Sequence, residues 1–313
     1  MLENLLISIE AVAPMFIIMA IGMIVRKRGL LNDEETKHVN KMVFKVFFPL
    51  MLFSNIYGKD ISKAINIRLM VFGVVVALIL YVATFLFVVN VEKNRKSRGA
   101  MIQAVYRSNF IIMGMPIAEN MFGSDNIGVT SVMITVIIPL YNILAVMTLE
   151  YFRGENPKVG EVILEVFKNP LIIGCLSGIF AVLVNLRLPI ILEKVVLSMS
   201  QVASPLAILL LGASFTFSGL AKEKRNLIIC VVGRLVFAPI LGVLGGVAFG
   251  FRGIELITLV AIFASPSAIT SFTMAQQMDS NYELAGNAVV VSSVLSCLTM
   301  FLWVFSLKSF GLV

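Results

Sequence analysis

This 313-residue chain has few charged residues. Charged residues make up 14% of it and hydrophobic residues 59%, with a mean hydropathy of +0.97. A soluble domain carries roughly 25% charged and about 45–50% apolar residues. No soluble core could bury this much apolar surface, so the composition excludes a soluble protein and predicts one that crosses a membrane several times.

Residues and motifs of catalysis are equally scarce. The one histidine, His38, lies in a charged loop, which argues against a histidine metal site. The ATP-binding pattern GxxxxGK[ST], the metalloprotease pattern HExxH, the hydrolase pattern GxSxG and a deep aspartate pair are all missing. We therefore expect no enzyme, no catalytic residues, no cofactor or metal and no direct use of ATP. The cysteines lie in apolar runs and are expected to pack as small hydrophobic residues: Cys175, Cys230 and Cys297.

Apolar runs of about 20 residues are plentiful, whereas the alternating ten-residue runs of an outer-membrane barrel are absent. This is typical of a multi-pass protein of an inner or plasma membrane. We predict an all-α fold of ten transmembrane helices at 5–25, 38–57, 67–91, 100–122, 127–152, 169–187, 194–217, 226–250, 254–277 and 284–308.

Lysine and arginine are distributed unevenly over the connections between these helices. Most lie in the connections after the odd-numbered helices, which the positive-inside rule assigns to the cytoplasm, so both termini are expected outside. The net charge of +7 then reports topology and gives no reason to expect a nucleic-acid partner. Five helices per half require the second half to be inverted. The predicted units are a first repeat at 1–152, a cytoplasmic hinge at 153–168 and a second repeat at 169–313.

Two proline positions recur at half-length. MGMPIAEN (113–120) matches FASPSAIT (263–270), and FFPLMLFS (47–54) matches ASPLAILL (203–210). Proline removes a backbone donor and clashes with the preceding turn. For the second pair we expect simple kinks. For the first pair we expect breaks in the fourth and ninth helices, near Pro116 and Pro266, because hydroxyls and amides surround both prolines.

If both helices break in mid-membrane and cross, their half-helix N-termini can hold an anion. Polar residues near the breaks and in the fifth helix are the candidate substrate site: Asn109, Gly114, Met115, Pro116, Ile117, Asn120, Ser265, Pro266, Ser267, Thr270, Tyr141 and Asn142.

Five further polar residues are candidates with open alternatives. Glu119 is either a coupling proton carrier or an interfacial acid, and Gln276 and Gln277 are candidate coupling ligands. Arg107 and Arg234 either snorkel to the interface or guide an anionic substrate through the cytoplasmic vestibule.

The ten-helix layout, the outside termini and the segment Asn109-…-Gly114-Met115-Pro116 resemble the auxin efflux carrier family over nearly the whole chain. The short hinge resembles the bacterial branch, which includes malate and related organic-acid permeases. The resemblance implies a scaffold of helices 1, 2, 6 and 7, dimerisation through that scaffold, and an elevator-like transport domain whose helices cross at Pro116 and Pro266. It also implies that Asn109 and Asn120 contact a substrate carboxylate.

One departure from the family concerns the third helix, where plant auxin carriers have charged residues. Between Arg68 and Glu92 its interior offers only Tyr81 and Thr84, which argues against proton coupling by that route and against auxin as the substrate. The function expected first is a secondary transporter that moves small organic anions by alternating access. The alternatives are a sodium-coupled symporter of the bile-acid-transporter type, and a channel or ligand-sensing membrane protein.

Overall fold

The computed structural model describes residues 2–57, 65–123, 127–154, 159–215, 220 and 223–313, with side chains from residue 13 onward except at 159. Across these residues the chain is helical and contains no β-strand. The predicted hinge lies partly outside them, at 155–158.

Thirteen helices are used here to describe the fold. They are α1 Leu2–Lys27, α2 Asp33–Ile56, α3 Ile67–Val91, α4 Arg95–Tyr106, α5 Phe110–Phe122, α6 Gly128–Arg153, α7 Val159–Lys168, α8 Pro170–Leu183, α9 Ile190–Ser214, α10 Lys224–Ala248, α11 Gly253–Phe263, α12 Thr270–Gln277 and α13 Tyr282–Ser309.

Six helices of the described chain are long and apolar enough to cross a membrane: α2, α3, α6, α9, α10 and α13. Helices α5 and α11 are shorter and apolar, and α7 meets α8 at a bend of 65°. Two of the predicted spans, 100–122 and 254–277, are each built from two helices separated by a non-helical segment. The protein is therefore an all-helical, multi-pass membrane protein with interrupted segments.

Asparagine begins five of these helices. The side chains of Asn32, Asn66, Asn94, Asn169 and Asn281 each accept a hydrogen bond from a backbone N–H in the first turn of α2, α3, α4, α8 and α13. These first-turn amides have no partner within their own helix, so an N-cap satisfies a group that would otherwise be stranded. The caps fix where the helices start after each polar connection.

Two pairs of helices approach so closely that only glycine fits between them. A Cβ on Gly22 of α1 or Gly212 of α9 would overlap backbone atoms of the other helix, and one on Gly174 of α8 would lie 2.5 Å from the Pro49 carbonyl of α2. Small residues of this kind allow close backbone packing in membranes. Helices α1, α2, α8 and α9 thereby form one packed group.

Candidate functional site

The two interrupted segments meet each other at their breaks. The Asn109 amide donates to the Pro266 carbonyl over 2.7 Å, and the Ala268 amide donates to the Arg107 carbonyl over 3.2 Å. Ser108 and Ser267 lie opposite each other in this antiparallel bridge. Backbone that leaves a helix inside a membrane protein must find partners elsewhere, and here each break supplies them to the other.

The first break was predicted at the wrong place. Residues near Gly114 and Pro116 were expected to separate the half-helices, but 110–122 is continuous helix and the break lies at 107–109. The Met115 amide bonds to the Phe110 carbonyl five residues back. This wider π-helical turn moves the backbone so that the proline ring follows without breaking the helix. The second break, at 264–269, does contain Pro266 as predicted.

The same local solution occurs at two other prolines. Five-residue π-helical turns precede Pro49 and Pro239 as well, and each closes on the residue just before the proline. Proline in these helices is thus accommodated by a change of helical winding. A proline in an apolar run therefore does not by itself locate an interruption.

A cavity of about 90 Å³ lies against the bridge. Its walls are the starts of α5 and α12, the middle of α6, and residues of α2 and α9. It lies between the packed group of α1, α2, α8 and α9 and the interrupted helices. Its polar lining consists of Asn55, Arg107, Ser108, Asn109, Tyr141, Asn142, Ser204 and Thr270.

Arg107 is the charged residue of this lining. It is 4% exposed, and its guanidinium donates to Asn142 Oδ1 over 2.6 Å and to Gln103 Oε1 over 3.2 Å. It also contacts Met274 Sδ over 2.6 Å, so its partners are all neutral, and no aspartate or glutamate lines the cavity among the described residues. The positive charge therefore stands at a cavity without a protein counter-charge.

Two amide groups add further free donors. Asn109 Nδ2 and Asn55 Nδ2 are enclosed and have no acceptor among the described residues. Asn109 comes from the bridge and Asn55 from α2, so the two donors belong to different elements of the lining. A buried polar group without a partner is costly, so these two enclosed donors indicate a site shaped for an acceptor-rich ligand.

Arg234 of α10 lies behind the bridge and is fully buried. Its guanidinium donates to the carbonyls of Val105 and Tyr106, over 3.0 and 3.1 Å, at the end of α4. It also donates to the carbonyls of Ile262, over 3.1 Å, and Phe263, at the end of α11. One side chain thus caps both helix ends that precede the breaks.

The four helix ends beside the bridge differ in the sign of their partial charge. The N-terminal ends of α5 and α12, which carry partial positive charge, border the cavity. The C-terminal ends of α4 and α11, which carry partial negative charge, bond to Arg234. The cavity therefore has positive potential from two helix ends and from Arg107, which suits a small anion.

The structure separates the predicted site residues into groups. Asn109, Tyr141, Asn142 and Thr270 line the cavity, and Pro266 and Ser267 form the bridge. Ser265, in the second break, donates to the Ala261 carbonyl of the preceding helix α11. The residues of α5 beyond the first turns do not line the cavity: Gly114, Met115, Pro116, Ile117, Glu119 and Asn120.

The predicted carboxylate contact at Asn120 has no support in this geometry. Its side chain is exposed and donates to the Pro116 carbonyl of the same helix, and Glu119 beside it is also exposed. Gln276 accepts from Asn40 of α2, and both predicted coupling glutamines, Gln276 and Gln277, line a separate cavity of about 580 Å³. These four residues therefore lie apart from the bridge.

Snorkelling was the wrong interpretation of the two arginines. Arg107 and Arg234 are both buried. Arg107 lines the cavity, and Arg234 bonds the ends of α4 and α11 behind the bridge. Sequence reasoning also missed Asn55 and Ser204 as cavity residues. The signal was present: both lie within six residues of Pro49 or Pro205, in the second pair of matching proline segments.

The chain is similar to known membrane transport proteins. A family model described as membrane transport protein matches residues 7–304. An uncharacterized transporter of Methanothermobacter thermautotrophicus is 23% identical over 299 residues, covering 95% of this chain and 97% of its own. An uncharacterized transporter of Methanocaldococcus jannaschii is 21% identical over 308 residues, covering 95% and 98%. The chain therefore belongs to the membrane transport protein family, which is auxin efflux carrier-like.

Proposed function

We propose that this protein is a secondary transporter of small organic anions and that the substrate carboxylate binds Arg107 in the cavity beside the bridge. The observation that carries the proposal is a buried guanidinium lining a cavity without a carboxylate among the described residues. Charged side chains inside membrane proteins are expensive and are usually paired or functional. A carboxylate substrate would supply the missing counter-charge.

The energy available from such a pair is large enough to matter. Two unit charges about 4 Å apart attract by about 4 kcal/mol at the effective dielectric constant of a partly buried site. Arg107 offers a planar fork of donors that suits a carboxylate, and Asn109 Nδ2 and Asn55 Nδ2 can bind a second polar group. This arrangement favours a small acid with a second oxygen function.

The size of the cavity supports the same class of ligand. A volume of about 90 Å³ has room for several water molecules, comparable to a short carboxylic acid. Malate-like acids fit this description better than indole-3-acetate. We therefore infer a short carboxylate, with auxin-like acids as a second choice.

The transport cycle we propose is alternating access by a mobile domain against a scaffold. The scaffold would be α1, α2, α8 and α9, which pack together through close glycine contacts. The mobile domain would hold the two interrupted segments. Support for a repeat comes from the element order: α1, α2 and α3 precede the interrupted pair α4 and α5, and α8, α9 and α10 precede the interrupted pair α11 and α12. The scaffold would also carry a homodimer interface.

We further propose a cytoplasmic or plasma-type membrane, with both termini outside. The support is the excess of lysine and arginine on one set of connections. The sodium-coupled alternative is weaker because its candidate ligands lie elsewhere: Glu119 is exposed and Gln276 is bonded to Asn40.

The test is counterflow into sodium-free proteoliposomes preloaded with unlabelled acid. Malate, malonate, a short monocarboxylate and indole-3-acetate would be offered, with and without a pH gradient. We expect saturable exchange of a short acid without sodium. Transport that appears only when sodium is added would support the symporter, and non-saturable flux would support a channel.

A further inference from the structure

Arg234 has a structural role beside the bridge that anion binding in the cavity does not require. It does not line the cavity, yet it is the most deeply buried arginine and bonds four backbone carbonyls from two helices. Those carbonyls converge from residues 105–106 and 262–263, far apart in sequence. Four carbonyl oxygens at two helix C-terminal ends form the kind of ligand set that otherwise holds a metal cation.

We propose that Arg234 is a tethered cation that occupies a carbonyl site at the helix junction, and that the transporter needs no bound sodium there because of it. This inference rests on the proposed transport function. The guanidinium supplies the positive charge that the two partial negative helix ends require. Since the charge is covalently attached, it neither leaves nor enters during a transport cycle.

The contacts of Arg234 explain how it also positions the substrate site. By bonding the ends of α4 and α11 together, it fixes the residues that follow, which are Arg107 on one segment and Pro266 on the other. Arg234 is therefore a positioning residue for the bridge. Removing it leaves four buried acceptors facing one another, with no donor to separate them.

Replacing Arg234 with a neutral residue should create a binding site for a free cation. In Arg234→Gln the vacated carbonyl cluster should bind a free cation. We expect the variant to unfold more than about 5 °C below the wild type in sodium-free buffer, because the buried carbonyls of two helix ends lose their charged donor. Sodium or guanidinium ions should then raise its melting temperature saturably, whereas the wild type should not respond.

Three variants keep the experiment decisive in detergent solution. Arg234→Lys retains the charge and should melt close to the wild type, without a response to sodium. If Arg234→Gln does not fold, the melting temperature and counterflow of Arg234→Lys test the proposal. Arg252→Gln is the matched control, since Arg252 also bonds two carbonyls, those of Val247 at the end of α10 and of Phe251 after it, but lies exposed in the connection to α11. It should show neither the loss nor the response.

Counterflow provides the second readout. Arg234→Gln should lose transport and recover part of it with guanidinium, while Arg234→Lys should stay active. A melting temperature for Arg234→Gln equal to that of the wild type, or a destabilised variant that no cation restores, would overturn the tethered-cation role. Because melting is independent of transport, a failure of wild-type counterflow would count against the proposed function and leave this test intact.

Discussion

Replacing Arg107 with glutamine is expected to abolish measurable transport while leaving the protein folded. The substitution removes the charge that faces the cavity but keeps a polar amide at the end of the side chain. Loss of one charge–charge contact at about 4 kcal/mol corresponds to on the order of 100- to 1000-fold weaker substrate binding. The melting temperature should not fall substantially, because a buried charge without a protein counter-charge is itself unfavourable.

Two control variants show whether the loss of transport is due to the charge and position of Arg107. Arg107→Lys keeps the charge but not the planar fork, so binding should weaken by only about tenfold. Arg98→Gln changes an arginine of α4, the helix that ends just before Arg107; Arg98 bonds the backbone carbonyls of Glu92 and Val89, away from the cavity, so this variant should transport normally. Wild-type transport kinetics in Arg107→Gln would show that Arg107 does not bind the substrate.

Replacing Gly114 with valine should disturb the packing of α5 against α11, beside the bridge. A Cβ at this position would lie 2.6 Å from the Ala261 carbonyl oxygen and 2.9 Å from its Cα, so α5 and α11 would have to separate. Overpacking of this kind costs about 1–3 kcal/mol, and a drop of about 5 °C in melting temperature is expected. Transport should fall with it, because the bridge joins the same two segments.

Gly160→Val is the matched control for that substitution. Gly160 lies in α7, and a Cβ there meets nothing within 4 Å. It introduces the same side chain into a helix without the steric conflict, so its melting temperature should stay within about 1 °C of the wild type. Equal melting of the two variants would show that the α5–α11 contact is not tight.

Much of the helical layout follows from sequence because apolar length and charged connections are local signals. The broken segments of 100–122 and 254–277 were also predicted, from prolines set among hydroxyls and amides. The place of the first break was not. Whether a proline interrupts a helix depends on whether a neighbouring turn can widen, and the π-helical turn 110–114 absorbs Pro116.

The roles of the two buried arginines lie beyond sequence reasoning for a different reason. Arg234 and its carbonyl partners are separated by 129, 128, 28 and 29 residues. Only the packing of α10 against both interrupted segments reveals that the charge faces helix ends and not the membrane surface. Arg107 similarly appears interfacial from its position in the chain, but the break directly after α4 turns it toward the cavity.

The central claim, that the substrate occupies the cavity beside the bridge, is tested most directly by protection of a cysteine placed in its wall. Ser204→Cys is a near-isosteric change at a cavity residue, and Ser309→Cys at the exposed end of α13 is the control. Labelling by a small water-soluble methanethiosulfonate would be timed with and without the transported acid, against the wild-type background. We expect the acid at ten times its Kd to slow labelling of Ser204→Cys on the order of tenfold and to leave Ser309→Cys unchanged. Equal labelling rates with and without the acid at Ser204→Cys would place the substrate elsewhere.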